Sequence, residues 1–135
     1  MEWLLITTQT QRQVIDLTDL LQPLVPSAGT GLMTLHIQHT TAAVTTADLD
    51  PGTDLDLLDF LEGVVPDRHW RHPHDPAHAP DHLLASVIGS SVSLPYARGK
   101  VLLGGWQRLV LVELSGPRER RVAVVATAGL ESGTG

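Results

Sequence analysis

The last third of this chain restricts its fold most. Four short apolar runs, Ser91–Leu94, Lys100–Leu103, Trp106–Leu114 and Arg121–Ala126, follow one another with little but turns between them, Arg98-Gly99 and Ser115-Gly116-Pro117 included. Short apolar and β-branched runs bounded by Gly and Pro read as strands, and connections too short for a crossover pair such strands antiparallel. Upstream, Gly31–Gln38 alternates with period two: Leu32, Thr34 and His36 share one face, Met33, Leu35 and Ile37 the other. This strand runs into His39-Thr40-Thr41-Ala42, and Ala43–Thr46 extends it. Trp3–Thr8 and Gln13–Asp16 read as two further strands around a polar turn.

Helical spacing occurs in three places. Leu17, Leu20, Leu21, Leu24 and Val25 form the first helix, with Asp16 or Thr18 as its cap and Pro26 beyond its end. Asp50-Pro51-Gly52-Thr53-Asp54 opens the second, placing proline in the first turn and acids at the positive end of the dipole. Its apolar stripe is Leu55, Leu58, Leu61 and Val65, and Pro66 closes it. The third is short, from Asp81 or His82 to Ile88, stopped by Gly89. Between the last two, Asp67–Asp81 carries Pro73, Pro76, Pro80, His69, His72, His74 and His78 without any period, and reads as a loop. Loops this long in a small domain are usually functional or disordered. The order of elements defines the α+β class with a largely antiparallel sheet.

With 135 residues, 42% of them hydrophobic and 18% charged, one domain is expected over residues 1–130, with 131–135 as a flexible tail. The absence of cysteine excludes disulfides, thiolate zinc sites, iron–sulfur clusters and thiol catalysis. The N-terminus lacks a basic segment ahead of its short apolar run, and no apolar stretch is long enough to span a bilayer, so a cytoplasmic protein without membrane partners is expected.

The net charge of −6 conceals an uneven distribution. Acids crowd Val44–His82 against only Arg68 and Arg71, whereas Arg98, Lys100, Arg108, Arg118, Arg120 and Arg121 dominate Arg98–Arg121. Overall acidity disfavours non-specific nucleic-acid binding, yet a local arginine cluster suits a phosphate or carboxylate. Glu113 shares a strand face with Gln107, Leu109 and Leu111, so its charge requires a partner, for which Arg118, Arg120 and Arg121 are the candidates.

Seven histidines stand against a single lysine, and five of them fall between His69 and His82. Imidazole is the commonest transition-metal ligand, so the cluster is a candidate metal site, or else a solvated loop. His78 and His82 stand four residues apart, sharing a face if the helix begins early enough. His36 points away from the face of Met33 and is expected to be structural. Neither a G-x-S-x-G nor an H-E-x-x-H motif is present, and Leu103-Gly104-Gly105-Trp106 lacks the helix and lysine of a phosphate loop.

The ordered set His39-Thr40-Thr41-Ala42-Ala43, Asp50-Pro51, Trp70-Arg71-His72, Asp81-His82-Leu83-Leu84-Ala85-Ser86, Ile88-Gly89-Ser90-Ser91, Leu103-Gly104-Gly105-Trp106-Gln107, Glu113 and Gly116-Pro117-Arg118 resembles the YjbQ-like family across most of the chain. That family is mostly described as uncharacterised conserved proteins and is also labelled secondary thiamine-phosphate synthase. The resemblance implies a mixed α/β sandwich, a homotrimer with sites near subunit interfaces, and a histidine-lined pocket for a metal or an anion. Carried over by position, it implies His39, His72, His82, Gln107, Glu113 and Arg118 as site residues. The expected catalytic residues are then His39, His82, Asp48 and Glu113; Gln107, Arg118, Arg120 and Thr40 would hold substrate or anion, and His39, His72 and His82 a divalent metal such as Zn, Ni or Mg. Asp48 stands near the place of a family Glu, while Leu84 and Gly105 replace a usual Lys and Thr. The functions implied are binding of a small phosphorylated metabolite or, alternatively, joining a pyrimidine diphosphate to a thiazole phosphate. His69 and His74 have no counterpart in the resemblance.

Overall fold

The computed structural model describes residues 1–130, so the expected tail at 131–135 lies outside the described residues. Among the described residues, eight strands and three α-helices follow in the order β1 (Glu2–Thr7), β2 (Gln13–Asp16), α1 (Thr18–Leu21), β3 (Thr30–Ile37), β4 (Ala42–Asp48), α2 (Thr53–Gly63), α3 (Ala79–Ile88), β5 (Ser91–Ala97), β6 (Lys100–Val101), β7 (Gln107–Glu113) and β8 (Glu119–Ala128). The strands form two antiparallel sheets, one ordered β1-β8-β3-β5-β6 and the other β2-β7-β4. The pairing is antiparallel, as the strand pattern implies, and the fold is the mixed α/β sandwich that the resemblance implies.

Alternation explains how the layers stack. Met33, Leu35 and Ile37 of β3 and Val122 and Val124 of β8 face Leu109 and Leu111 of β7, and Leu17, Leu21 and Tyr96 close this inter-sheet core. On β7 the intervening residues Val110 and Val112 point the other way, onto Leu61 of α2 and Leu84 and Ala85 of α3. β7 is therefore buried on both faces, which accounts for its nearly continuous apolar run. Among the described residues no helix is long and apolar enough to cross a membrane.

Several boundaries differ from the sequence reading. The first helix is only one turn, because Pro23 lacks an N–H and the chain tightens into a 3₁₀ turn at Gln22–Leu24. Asp16 still serves its start by accepting the Thr18 N–H at 2.9 Å. In α2 the stripe is Leu57, Leu58, Leu61 and Val65, whereas Leu55 is exposed. The third helix begins at Ala79, ahead of Asp81, since Pro80 fits its first turn, and a 3₁₀ turn at Pro76–His78 shortens the preceding loop. β5 runs on to Ala97 and β6 ends at Val101.

Candidate functional site

Where β3 leaves its sheet, Ile37–Val122 is the last pair of its ladder with β8. One residue further along β8, the Arg121 N–H donates instead to Nε2 of His39, at 3.2 Å. The imidazole thus takes the place of a missing strand acceptor. Because Nε2 accepts, the proton of the neutral ring sits on Nδ1. Burial holds the His39 pKa below its ordinary value, and the guanidinium groups of Arg120, Arg118 and Arg121 add to this against the opposing pull of Glu113. His39 is therefore a neutral donor at Nδ1.

Thr40 and Thr41, the next two residues, divide their work. The Thr40 hydroxyl lies 3.0 Å from Nδ1 of His82 on α3. Thr41 is buried, and its hydroxyl and carbonyl oxygens accept from Nη2 of Arg120 at 2.8 and 3.1 Å. Arg120 is fully enclosed, like Glu113 of the opposite sheet, to which it is bonded through Nε at 2.9 Å and also through Nη2. Glu113 further accepts from the Thr8 hydroxyl at 2.7 Å and from the Leu114 N–H at 3.0 Å. Burial alone would raise the Glu113 pKa, but the bonds from Arg120 and Thr8 outweigh it and hold the carboxyl below its ordinary value. Of the three arginines considered as its partner, the structure selects Arg120. The pair spans the two sheets rather than neighbouring strands, and it supports the His39–Thr41 loop from beneath.

Above this pair opens a cavity of about 480 Å³ lined by Ile37, Gln38, His39, Thr40, Thr41, Ser90, Arg118 and Arg120. Ser90 arrives from the end of α3, where the Ser90 carbonyl accepts from the Ile37 N–H and the Gly89 carbonyl from the Val44 N–H. Arg118 is positioned by a bond from its Nε to the Ser115 carbonyl at 2.9 Å. No described carboxylate pairs with it. The turn ahead of it requires Gly116: a Cβ there would meet the Thr10 carbonyl oxygen at 2.4 Å. Arg120 lends shape to the floor, but its charge is taken up by Glu113, so Arg118 is the cation available at the surface of this cavity.

The other expected site residues are placed unevenly. His72 lies with His82, their ring centroids 4.7 Å apart, and His74 stacks edge-on against His72 at 6.1 Å. His78 faces Asp75 at 3.3 Å, and His69 is exposed. His36 bonds Ser91 on the outer face of the five-stranded sheet. Asp48 and Gln107 are paired in register at one end of the small sheet, whereas Glu113 pairs with Ala42 at the other. Six residues of strand separate them from the cavity, roughly 20 Å. Asp48 there accepts the Asp50 N–H, and Gln107 the Gly104 N–H, both at 2.8 Å.

Of the three histidines expected as metal ligands, His72 and His82 lie together and His39 stands on the other side of Thr40. No group of three His, Cys, Asp or Glu is arranged to hold a metal ion among the described residues. His39 Nε2 accepts from the Arg121 N–H, whereas His82 turns Nδ1 to the Thr40 hydroxyl and packs its ring on His72. Sequence reading assigns no site role to Thr8, Thr41, Ser90 or the Arg12–Asp81 pair, although Thr41, Ser90 and Asp81 stand within the motifs quoted above. Asp81 is buried and bonded to Arg12 at 2.9 Å, which fixes α3 just before His82. Thr41 was within reach, since it follows His39-Thr40 directly.

Fold and cavity together define a small two-sheet α/β protein whose polar pocket gathers His39, Thr40 and Arg118 at the rim of the sandwich. The UPF0047 protein YjbQ-like family model matches residues 2–129, and the chain belongs to that family. It is 37% identical over 124 residues to a UPF0047 protein of Archaeoglobus fulgidus, covering 91% of this chain and 98% of the relative. A UPF0047 protein of Mycobacterium tuberculosis is 37% identical over 113 residues, covering 82% of this chain and 85% of the relative. Among solved structures, a hypothetical protein from Aeropyrum pernix superposes with a TM-score of 0.85 at 31% identity, over 95% of this chain and 98% of the other. An uncharacterized conserved YjbQ/UPF0047 protein from Clostridium acetobutylicum gives 0.83 at 31% identity, over 94% and 100%.

Proposed function

We propose that this chain binds a small metabolite through an anionic group, phosphate or carboxylate, in the cavity between His39 and Arg118. The observation that carries this reading is Arg118: a cation beside the cavity, without a described carboxylate partner, next to a histidine that presents a donor. Guanidinium and N–H or O–H donors are the chemistry that recognises such an anion. Saturable, one-to-one binding of ribose 5-phosphate, competed by inorganic phosphate, is expected in isothermal titration calorimetry. Absence of saturation at millimolar ligand would overturn the reading. Binding is also expected to survive exhaustive dialysis against EDTA, and its loss would place a metal at the site instead. The transferase activity implied by the family resemblance would rely on the same cation, since a leaving pyrophosphate has to be held while charge builds on it.

The homotrimer is likewise a proposal. The outer face of the five-stranded sheet exposes Leu5, Leu32 and Val125 among polar side chains, and apolar side chains left in water are a surface a partner copy can cover. Light scattering is expected to report three chains per particle, and a monomer at micromolar concentration would count against it.

A further inference from the structure

The His39–Arg118 cavity continues along α3. A neighbouring cavity of about 370 Å³ shares His39, Thr40 and Ser90 with it and adds Ser86. Its remaining walls are the small residues Ala42, Ala85 and Gly89. It is distinct from a further cavity, of about 320 Å³, that Trp70, His72 and His82 line. Helical spacing explains the arrangement. Ser86 stands four residues after His82 on α3, so the two share a face, and Ser90 follows four residues later, just past the helix end. The contact of His82 with the Thr40 hydroxyl, at 3.0 Å, lays this polar edge against the His39–Thr41 loop. Apart from His39, no wall of the continuation carries a titratable group. Its chemistry is that of hydroxyls set around methyl groups and backbone. The hydroxyls of Ser86 and Ser90 enter none of the described hydrogen bonds, whereas the Ser90 carbonyl is committed to the Ile37 N–H.

We infer that this continuation receives a polyhydroxylated carbon chain, as of a sugar, whose anionic end group occupies the His39–Arg118 cavity. The ligand class is therefore a polyol bearing an anion, and the inference rests on the anion-binding reading above. Every hydroxyl of a polyol offers both a donor and an acceptor. A serine or threonine hydroxyl answers with both, because its O–H rotates to suit. The small walls leave room for a carbon chain and lack the flat apolar faces on which a ring would stack. A plain alkyl chain of the same length would displace water from Ser86 and Ser90 and return no hydrogen bond.

The test compares ribose 5-phosphate with n-pentyl phosphate, which keeps the carbon count and the phosphate but has no further hydroxyl, by calorimetry on the full chain. Ribose 5-phosphate is expected to bind about tenfold more tightly, the order of one or two neutral hydrogen bonds. Ser86→Ala should remove most of that margin by weakening ribose 5-phosphate while leaving n-pentyl phosphate unchanged. Alanine is the better helix former, so α3 keeps its structure in this variant. Equal or weaker binding of ribose 5-phosphate, or a margin that survives Ser86→Ala intact, overturns this inference and leaves the anion cavity standing. Failure of both phosphates to saturate the protein would instead remove the anion-binding reading as well.

Discussion

Replacing Arg120 with methionine is expected to destabilise the fold by about 3–5 kcal/mol, the usual consequence of stranding one member of a buried ion pair. Glu113 is fully enclosed, and its oxygens are aimed at Arg120, Thr8 and the Leu114 N–H. Without the guanidinium, the carboxylate would keep its burial and lose its counter-charge. Thr41 would lose the donor that anchors its carbonyl and hydroxyl, so the His39–Thr41 loop should loosen as well. Urea unfolding at neutral pH measures the loss directly. A change under about 1 kcal/mol, the range of an exposed pair, would show that the two charges are not enclosed in solution. The double variant Glu113→Leu with Arg120→Met should recover much of the stability, because an apolar pair of similar volume avoids the desolvation of both ions.

The pH dependence of the same pair has a definite sign. The Glu113 pKa in the folded chain lies below its ordinary value, so its contribution is fully present above pH 4.5 and is lost as pH falls through the folded value. Asp81 works in the opposite direction: burial raises its pKa against the pull of Arg12, so lowering the pH through its folded pKa adds stability instead of removing it. Acid titration of stability should therefore be steeper in the wild type than in Glu113→Gln.

The alternation of Met33, Leu35 and Ile37 and the turn-separated runs after Ser91 were enough to define an antiparallel α+β fold, because period two survives wherever one strand face is buried. The need of Glu113 for a partner was legible for the same reason. Which arginine supplies it was also within reach, since Arg120 has the same parity on its strand as the inward Val122 and Val124. That the pair joins two different sheets was not legible, because strand order across a sandwich leaves no local mark. The same limit explains Asp48 and Gln107. They stand close to His39 and Glu113 along the chain, but strands of seven residues carry their two ends far apart in space. Conversely, Trp70 and His72 reach His82 by an aperiodic segment rich in proline, where neither spacing nor propensity specifies the path.

Arg118→Ala is expected to weaken ribose 5-phosphate binding on the order of 10- to 100-fold, in keeping with about 1.5–3 kcal/mol for a charged hydrogen bond. Arg118 differs from Arg120 in what its charge has to do. Arg120 is enclosed and neutralised by Glu113, so its removal is felt by the fold; Arg118 is exposed, with its Nε on the Ser115 carbonyl. The urea midpoint of Arg118→Ala should accordingly stay close to wild type, within about 0.5 kcal/mol of stability, as for most surface substitutions. Arg118→Lys should restore only part of the affinity, because an ammonium lacks the planar fork that can hold Ser115 and a phosphate together. Raising the salt concentration should weaken the wild type more than Arg118→Ala, since screening acts on the charge that the variant has already lost. Undiminished binding by Arg118→Ala would place the anion away from this cavity, and the contrast between two arginines two residues apart, one for the fold and one for the ligand, would fail with it.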